Sequence, residues 1–219
     1  MTNRPTPRIS SRKQPRQARS TELVTAVLEA AVQVLKQEGI RRFTSARVAE
    51  RAGVSVGSLY QYFPNKAAIL FRLQSDEWRR TTEQWGTILG DVTKPPHERL
   101  RSLVHTFIRS EVEEAAVRVA LDDAAPLYRD APEAREIHAE GDRIIERFMR
   151  EALPAASDAT RDLIGDLVVT TITAVGKEFS GAPRTETEIN TYADAMADMF
   201  CAYLSRCDLD ARGRGTETD

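Results

Sequence analysis

The sequence predicts an all-α protein. Apolar residues recur at intervals of three and four along most of the chain, which is the spacing of amphipathic helices. No stretch of useful length alternates apolar and polar residues in the manner of a half-buried β-strand, and no internal repeat is present. Glycines and prolines separate the periodic runs at distances typical of whole helices.

The composition indicates a soluble protein. The chain has 219 residues, enough for one large domain or two small ones, of which 41% are apolar and 29% are charged. No apolar run reaches the length of about 18 residues that a membrane helix needs, and the basic N-terminus lacks the apolar segment of a secretory signal. Two cysteines, Cys201 and Cys207, are too few for a disulfide framework. We therefore expect a cytoplasmic protein without a membrane partner.

Charge divides the chain into two parts. Residues 1–66 carry twelve Lys and Arg against four Glu, a net charge of +8, whereas the rest carries 19 basic and 29 acidic residues, a net charge of −10. This asymmetry predicts that only the N-terminal part meets a polyanion. Residues 1–19 hold six Arg and Lys, three prolines and no acidic residue, so a disordered basic arm is predicted there. The alternative is that this arm is only a solvated tail.

The first predicted helix begins after a cap at Ser20 or Thr21 and ends at Gly39. Its inward positions are Val24, Val27, Leu28, Ala31, Val34 and Leu35. After residue 65, further helices are predicted over 66–89, 97–114, 115–124, 132–153, 158–179 and 187–204. Asp158 is the predicted cap of the fifth of these, and residues 208–219 are predicted to form a disordered polar tail.

Two short helices joined by a tight turn are predicted between these elements. One spans 45–52 and the other spans 56–63. Gly53 supplies the positive φ that a tight turn needs, and Pro64 ends the second helix. The polar residues that could cap the two helices are Thr44, Ser45 and Ser55.

The second short helix has two different faces. Val56, Leu59 and Phe63 form an apolar face that is predicted to pack inward. The opposite face is small and polar, and it consists of Ser55, Gly57, Ser58, Gln61 and Tyr62. Such a face is typical of a helix that enters the major groove of DNA, because its polar groups reach base edges while flanking groups hold phosphates.

Lys66 supports this interpretation by its position in the first turn of the following helix. The helix dipole disfavours a cation there by several tenths of a kcal/mol. A bound phosphate would reverse that balance, since helix N-termini bind anions. The alternative is an exposed lysine that tolerates the penalty.

The segments LKQEGIRRF (35–43) and TSARVAERAGVSVGSLYQYFPNKAAIL (44–70) resemble the helix-turn-helix of TetR/AcrR-type transcriptional regulators. The resemblance rests on AGVS, LY-x-x-F and NK at the family spacing and covers about residues 20–72. It implies an all-α homodimer of about nine helices. A three-helix DNA-binding domain would span 20–66, and a regulatory and dimerisation domain would span 67–207.

The resemblance also implies roles for individual residues. Ser45 matches a hydroxyl that touches phosphate, and Ala46 stands where some relatives place a base-reading side chain. The base-facing positions are Val56, Gly57, Ser58 and Gln61, and the phosphate-binding positions are Tyr60, Tyr62 and Lys66. Partial packing is the alternative for Tyr60. A Gln can pair with adenine, but Gln61 is at a variable position and Tyr62 at one that is often His, so no operator sequence is inherited.

The C-terminal part contains a predicted dimer interface. Residues 167–176 carry no charge, and a helix that is apolar on nearly all sides suits burial against both its own domain and a partner. Together with helix 187–204, which carries apolar residues along one face, it would form a four-helix bundle across a two-fold axis, as in the resembled family. An ordinary core helix is the alternative. The predicted interface residues are Val168, Thr171, Ile172, Val175, Tyr192, Met196, Met199 and Tyr203.

The resemblance further implies repression that a small molecule relieves by binding in the C-terminal domain. An aromatic and aliphatic pocket would favour an apolar or amphipathic effector. The residues available for it are Trp78, Trp85, Phe107, Phe148, Met149 and Phe179, each of which could instead be a core residue.

No pattern in the sequence supports catalysis. HExxH, a glycine-rich phosphate loop and GxSxG are absent, and the three histidines lack the Glu-x-x-His spacing of di-iron bundles. We expect no cofactor, no metal and no enzymatic activity. Two alternatives to a ligand-responsive repressor are open: a DNA-binding factor controlled by a partner protein, which a fully packed regulatory domain would favour, and a helical interaction protein without DNA binding.

Overall fold

The computed structural model describes residues 18–127 and 132–215, and within these ranges the chain is helical apart from short connections. The helices are α1 (Ala18–Arg42), α2 (Ser45–Arg51), α3 (Val56–Tyr62), α4 (Lys66–Leu89), α5 (Pro96–Glu113), α6 (Ala115–Ala124), α7 (Pro132–Ala152), α8 (Asp158–Phe179) and α9 (Glu186–Gly215). A short 3-10 turn, Ala125–Leu127, follows α6. The prediction of an all-α protein is confirmed. Residues 1–17 of the predicted basic arm and residues 216–219 of the predicted tail lie outside the described residues.

Two helix ends differ from the sequence prediction, whereas Gly39 ends the long first part of α1 as predicted, with a φ of 70°, and only a short helical piece to Arg42 follows it. The cap of α8 is Ser157 rather than Asp158, because the Ser157 hydroxyl accepts a hydrogen bond from the Thr160 amide at 3.2 Å. Helix α9 continues to Gly215, so residues 208–215 are helical where a disordered tail was predicted.

The chain forms two compact units. Unit 1 comprises the described residues of 1–79 and 116–137, and unit 2 comprises those of 80–115 and 138–219. Helix α6 thus belongs to unit 1, although it follows α5 of unit 2 in sequence. No helix among the described residues is long and apolar enough to cross a membrane.

The core of unit 1 is built from the inward faces of α1 to α4 and of α6. Fully buried members include Val27, Phe43, Val48, Leu59 and Ile69. Burying one leucine or phenylalanine side chain of this kind contributes about 1.5–3 kcal/mol. From α6, the core takes the residues Ala120, Leu121 and Ala124.

Helix α6 is also fixed to α4 by a largely buried ion pair. The Arg118 guanidinium lies 3.0 Å from the Glu77 carboxylate, and the two side chains are 18% and 9% exposed. Gln74 donates a further hydrogen bond to Glu77 at 3.1 Å. A charge this deep needs such partners, because an unpaired buried carboxylate costs several kcal/mol.

Unit 2 is a helical bundle in which α5 lies along α9. The exposed edge of this pair carries a row of polar contacts: Arg101 with Asp198, His105 with Asp194 at 3.0 Å, and His97 with Ser205 at 3.0 Å. The core of unit 2 includes Trp85, Phe107, Phe148, Met149 and Phe179. The Trp85 and Phe107 rings meet edge to face, with their centroids 5.8 Å apart.

Arg99 is the largest side chain that unit 2 buries completely, with 1% of its surface exposed. It donates to the Leu89 carbonyl at the end of α4 at 2.6 Å, and it forms a two-pronged pair with Glu151 of α7. Its guanidinium also lies 5.5 Å from the centre of the Phe148 ring. One arginine of α5 therefore connects α4, α5 and α7.

Candidate nucleic-acid interface

Helices α2 and α3 are placed by local capping and by a glycine turn. The Thr44 hydroxyl accepts a hydrogen bond from the Arg47 amide at 3.3 Å and so caps α2, whereas Ser45 is the first helical residue. The Ser55 hydroxyl caps α3 by accepting from the Ser58 amide at 3.0 Å. Between them, Gly53 adopts a φ of 66°, a conformation that side chains rarely tolerate. Each such cap contributes about 1 kcal/mol.

The apolar face of α3 fixes the helix against the core of unit 1. Leu59 and Phe63 are 0% and 1% exposed. Val56, which was also predicted to pack inward, is 38% exposed, so that part of the prediction is wrong. Val56 is the first residue of α3 and does not belong to the core cluster that contains Leu59, so it lies on the open face.

The open face of α3 collects most of the predicted DNA-binding residues. Gly57, Tyr60 and Gln61 are exposed, with Tyr60 at 41%, and Ser58 and Tyr62 are half-buried. Tyr62 packs partly against the core, so its ring is held while part of it stays accessible. Ser58 and Ser55 share a hydrogen bond between their hydroxyls at 2.8 Å.

Gly57 is not required by the packing of the protein itself. A Cβ at this position would meet nothing closer than the Ser55 hydroxyl at 3.8 Å, and its φ is not in the left-handed region. The fold would therefore accept a larger residue here. Because Gly57 has no side chain, the backbone of α3 is open to close approach from outside the protein.

Lys66 is exposed in the first turn of α4, as predicted. Asn65 caps this helix by accepting a hydrogen bond from the Ala68 amide at 2.9 Å. In the part of the chain that the structure describes, no carboxylate pairs with Lys66. The exposed ammonium therefore stands beside the positive end of the helix dipole, where an anion would be favourable.

Ser45 and Ala46 occupy different environments at the start of α2. Ala46 is exposed, but Ser45 is only 7% exposed and belongs to the buried side of α2. A hydroxyl at that depth is a poorer phosphate ligand than the exposed Thr44 beside it. Burial of Ser45 could not be read from the sequence, because small polar residues occur on both faces of short helices.

Arg47 of α2 was not among the residues predicted to bind DNA. Its side chain is 46% exposed and forms an ion pair with Glu38 near the end of α1. The exposed residues Arg41, Arg42 and Arg51 were likewise counted only in the net charge. The signal that would have found them is the density of arginines in residues 41–51.

In unit 2, the residues predicted to line a pocket are mostly packed. Trp85, Phe107, Met149 and Phe179 are at most 8% exposed within the core. Trp78 belongs instead to unit 1, where it packs against the core. Unit 2 does contain a cavity of about 530 Å³, which Phe148 lines. The remainder of its wall comes from residues that the sequence analysis did not select.

The predicted dimer-interface residues divide into two groups. Val168, Ile172 and Met196 are at most 6% exposed and belong to the core of unit 2, so their prediction as residues that contact a partner is wrong. Tyr192, Met199 and Tyr203 are exposed, and Thr171 and Val175 are half-buried. Tyr192 stacks on Phe179 with ring centroids 4.1 Å apart.

Two exposed stripes of apolar and small residues run along α8 and α9. The stripe of α8 consists of Leu163, Leu167, Thr170 and Ala174, and the stripe of α9 consists of Tyr192, Ala195, Met199, Ala202 and Tyr203. Leu163 is 64% exposed and Met199 is 52% exposed. On α8 the residues predicted for the dimer interface lie one register away from this stripe, because a helix that is apolar all round does not show which side is outside.

The cysteines contribute no site. Cys201 and Cys207 are free and half-buried on α9. Burial raises the pKa of the Cys201 thiol, which keeps it in the unreactive protonated form. Among the described residues, no cluster of His, Cys, Asp and Glu is suited to hold a metal.

An all-α chain in which a capped helix-turn-helix presents a polar helix face is the architecture of a DNA-binding transcriptional regulator. Comparison with known families agrees. The model for bacterial regulatory proteins of the tetR family matches residues 27–73, and the model for tetracyclin repressor-like C-terminal domains matches residues 95–207. The chain belongs to the TetR family. This family comprises transcriptional regulators and not enzymes, which confirms the prediction of a non-enzymatic protein.

Individual relatives extend the comparison. The chain is 27% identical to the HTH-type transcriptional repressor KstR of Rhodococcus jostii over 68% of this chain and 70% of that protein. FadR from Bacillus subtilis, solved in complex with stearoyl-CoA, aligns over 80% of this chain and 96% of its own with a TM-score of 0.65 and 15% identity. The ketosteroid regulator KstR2 of Mycobacterium tuberculosis aligns over 90% and 96% with a TM-score of 0.55 and 21% identity. At these identities, the two structures show a shared fold.

Proposed function

We propose that this protein is a ligand-responsive repressor that binds a palindromic operator as a homodimer and is released from it by a small apolar or amphipathic effector. The observation that carries the proposal is the open face of α3, where Gly57, Tyr60 and Gln61 are exposed next to the capped start of α4. These residues would enter the major groove, with Gln61 at a base edge.

The phosphate contacts would come from groups at the border of that face. The hydroxyls of Tyr60 and Tyr62 and the ammonium of Lys66 can each donate to a phosphate oxygen. Lys66 is the strongest of these groups, since it combines a charge without an internal partner in the described structure with the N-terminus of a helix. Thr44, the cap of α2, and Arg47 of α2 are additional donors on the exposed side.

Dimerisation would use the two stripes on α8 and α9. Surface residues such as Leu163, Leu167 and Met199 are exposed in the single chain, and a partner that covers them would remove this apolar area from water. A two-fold arrangement of α8 and α9 gives a four-helix bundle, and it presents two α3 helices to a palindromic site.

A small-molecule effector is favoured over control by a partner protein because unit 2 contains a cavity of about 530 Å³. This volume falls within the range of about 300–1,000 Å³ that is usual for small-molecule sites. The fold is shared with a FadR solved in complex with stearoyl-CoA and with a ketosteroid regulator. Effectors with a large apolar part are therefore the first compounds to test.

In-vitro selection of random duplex DNA with the purified protein tests the DNA-binding part of the proposal. We expect a palindromic consensus. Gln61→Ala should relax the preference at one position in each half-site, whereas Tyr62→Phe should weaken binding to all sequences alike. If a protein that is folded by circular dichroism enriches no sequence, the interaction-protein alternative replaces the proposal.

Light scattering on the protein in solution tests the dimer. We expect twice the chain mass, and Leu167→Glu together with Met199→Glu should give a monomer, because each chain would place two carboxylates in the interface without cationic partners. Loss of the dimer should also lower operator affinity. A wild-type chain that is monomeric at micromolar concentration would refute this part.

A further inference from the structure

The cavity of unit 2, here called the end cavity, lies where α4 ends. Its wall is formed by residues of the segment 86–92 and by Arg147, Phe148 and Glu151 of α7. Two of the wall residues, Leu89 and Phe148, are apolar, and at 3% and 2% exposure they form the packed floor of the cavity. Val92 is 75% exposed, so the cavity is accessible from solvent on its side.

Gly86 lets α4 and α7 pack closely beside the cavity. A Cβ at Gly86 would already lie 3.3 Å from a methyl group of Ile144, so a larger residue would press against α7. The glycine therefore fixes how near α7, with its wall residues Arg147 and Phe148, lies to the end of α4.

Both carboxylates in the wall are already neutralised by neighbours. Asp91 receives hydrogen bonds from Thr93 and lies 3.2 Å from the Lys94 ammonium, and these contacts lower the pKa of Asp91. Glu151 is paired with the buried Arg99, whose hydrogen bonds lower the pKa of Glu151. At neutral pH, each of these acids therefore carries its charge next to a cation.

Arg147 is the charged wall residue that has no such neighbour. None of the ion pairs found between described residues includes its guanidinium. The adjacent arginines of α7 differ, since Arg143 pairs with Glu140 at 2.9 Å and Arg150 pairs with Glu146. The charges of Asp91 and Glu151 are balanced by Lys94 and Arg99. The charge of the end cavity that is left without a partner is therefore the positive charge of Arg147, beside the apolar residues of the wall.

We infer that the end cavity binds an amphiphilic anion, with its acidic head group on the Arg147 guanidinium and its apolar part against Leu89 and Phe148. A carboxylate or phosphate matches the planar donors of arginine. The assignment rests on the proposed function, because it makes this anion the effector of the repressor.

Binding of simple probes tests the site without DNA. Straight-chain alkyl carboxylates, alkyl phosphates and the alcohols of equal chain length are titrated calorimetrically below the concentration at which they form micelles. We expect at least one anion to bind about tenfold more tightly than its alcohol, and Arg147→Gln to abolish this preference. The tighter of the two anion series identifies the head group.

Arg143→Gln is the matched control, since it removes the same charge from the same helix outside the cavity. Val92→Trp is a second variant, in which an exposed position of the wall receives a bulky ring with little risk to folding. We expect Arg143→Gln to bind like wild type and Val92→Trp to lose all probes. Equal affinities of anions and alcohols in wild type, or equal losses in Arg143→Gln and Arg147→Gln, would overturn the inference.

Operator binding, measured separately with the preferred probe, distinguishes the two proposals. Release of the operator by the probe in wild type but not in Arg147→Gln supports both. If the probe binds through Arg147 but does not release the operator, its role as effector is refuted while the DNA-binding function stands. If the protein binds the probe but no DNA sequence, the proposed function fails and the anion site stands.

Discussion

In unit 1 the arginine in the interior faces a carboxylate that is also buried, whereas in unit 2 the most deeply buried arginine faces a carboxylate that reaches the surface. Glu77, the partner of Arg118, is 9% exposed, and Glu151, the partner of Arg99, is 45% exposed. The first pair lies within a core, and the second contributes Glu151 to the wall of a cavity. The same residue types thus serve packing in one unit and shape an accessible site in the other.

The two pairs should respond differently to loss of the arginine. Arg118→Met leaves the Glu77 charge in the interior, so we expect a loss of about 3–5 kcal/mol in the free energy of unfolding. Arg99→Met leaves Glu151 hydrated, and we expect the smaller loss of about 2 kcal/mol from the missing hydrogen bonds. Urea unfolding followed by circular dichroism measures both. Equal losses would show that exposure of the carboxylate does not decide the cost.

The apolar support of α3 provides a second contrast, between a leucine in the core and one at the surface. Leu59→Ala removes a side chain that is 0% exposed and should cost about 2–4 kcal/mol, with loss of operator binding at 37 °C. Leu209→Ala on α9 changes a residue that is 69% exposed and should alter stability by less than about 0.5 kcal/mol. Thermal unfolding curves of the two variants test this difference. If Leu59→Ala leaves the unfolding temperature unchanged, α3 is held in place by other contacts.

Lysines in the two units test whether only unit 1 meets DNA. Lys66→Ala should lower operator affinity by about three- to tenfold and reduce the slope of log affinity against log salt by about 1, because one phosphate contact is lost. Lys94→Ala removes a lysine of unit 2 that pairs with Asp91 and should leave affinity and slope unchanged. Fluorescence anisotropy at several salt concentrations gives both quantities. A similar effect of the two variants would remove the distinction between the units.

The smallest expected effect is the pH dependence contributed by Glu151. Its pKa in the folded protein is lowered from 4.5, chiefly by the Arg99 hydrogen bonds. The pair therefore stabilises the fold above pH 4.5, and this contribution is lost as the pH falls through the lowered pKa. Because Glu151 is nearly half exposed, we expect less than about 1 kcal/mol. The stability difference between wild type and Glu151→Gln should be present at pH 7 and vanish in acid; a constant difference would contradict this.

The helix-turn-helix could be predicted in detail because its determinants are local. The caps at Thr44 and Ser55, the turn at Gly53 and the start of α4 at Lys66 each depend on a few consecutive residues. The residues expected to touch DNA lie within residues 44–66 for the same reason. Val56 and Ser45 were the exceptions, since which side of a short helix is buried depends on the neighbouring helices.

Unit 2 was predictable as a set of helices but not as a site. The sequence marked α8 as apolar on nearly all sides, yet only packing shows that Val168 and Ile172 face inward and Leu163 and Leu167 face outward. The aromatic residues expected around a ligand became the core, with Phe148 shared by core and cavity.

The sequence by itself determined the helices, the caps of α2 and α3, the division of charge and the polar face of α3, because each of these follows from residues that are neighbours in the chain. Only the tertiary structure decided that α6 completes the core of unit 1 and that the end cavity combines residues 86–92 with α7. It also decided which charges remain without a partner there. Such features depend on side chains that are far apart in sequence, and their exposure and pairing are settled only when the helices pack.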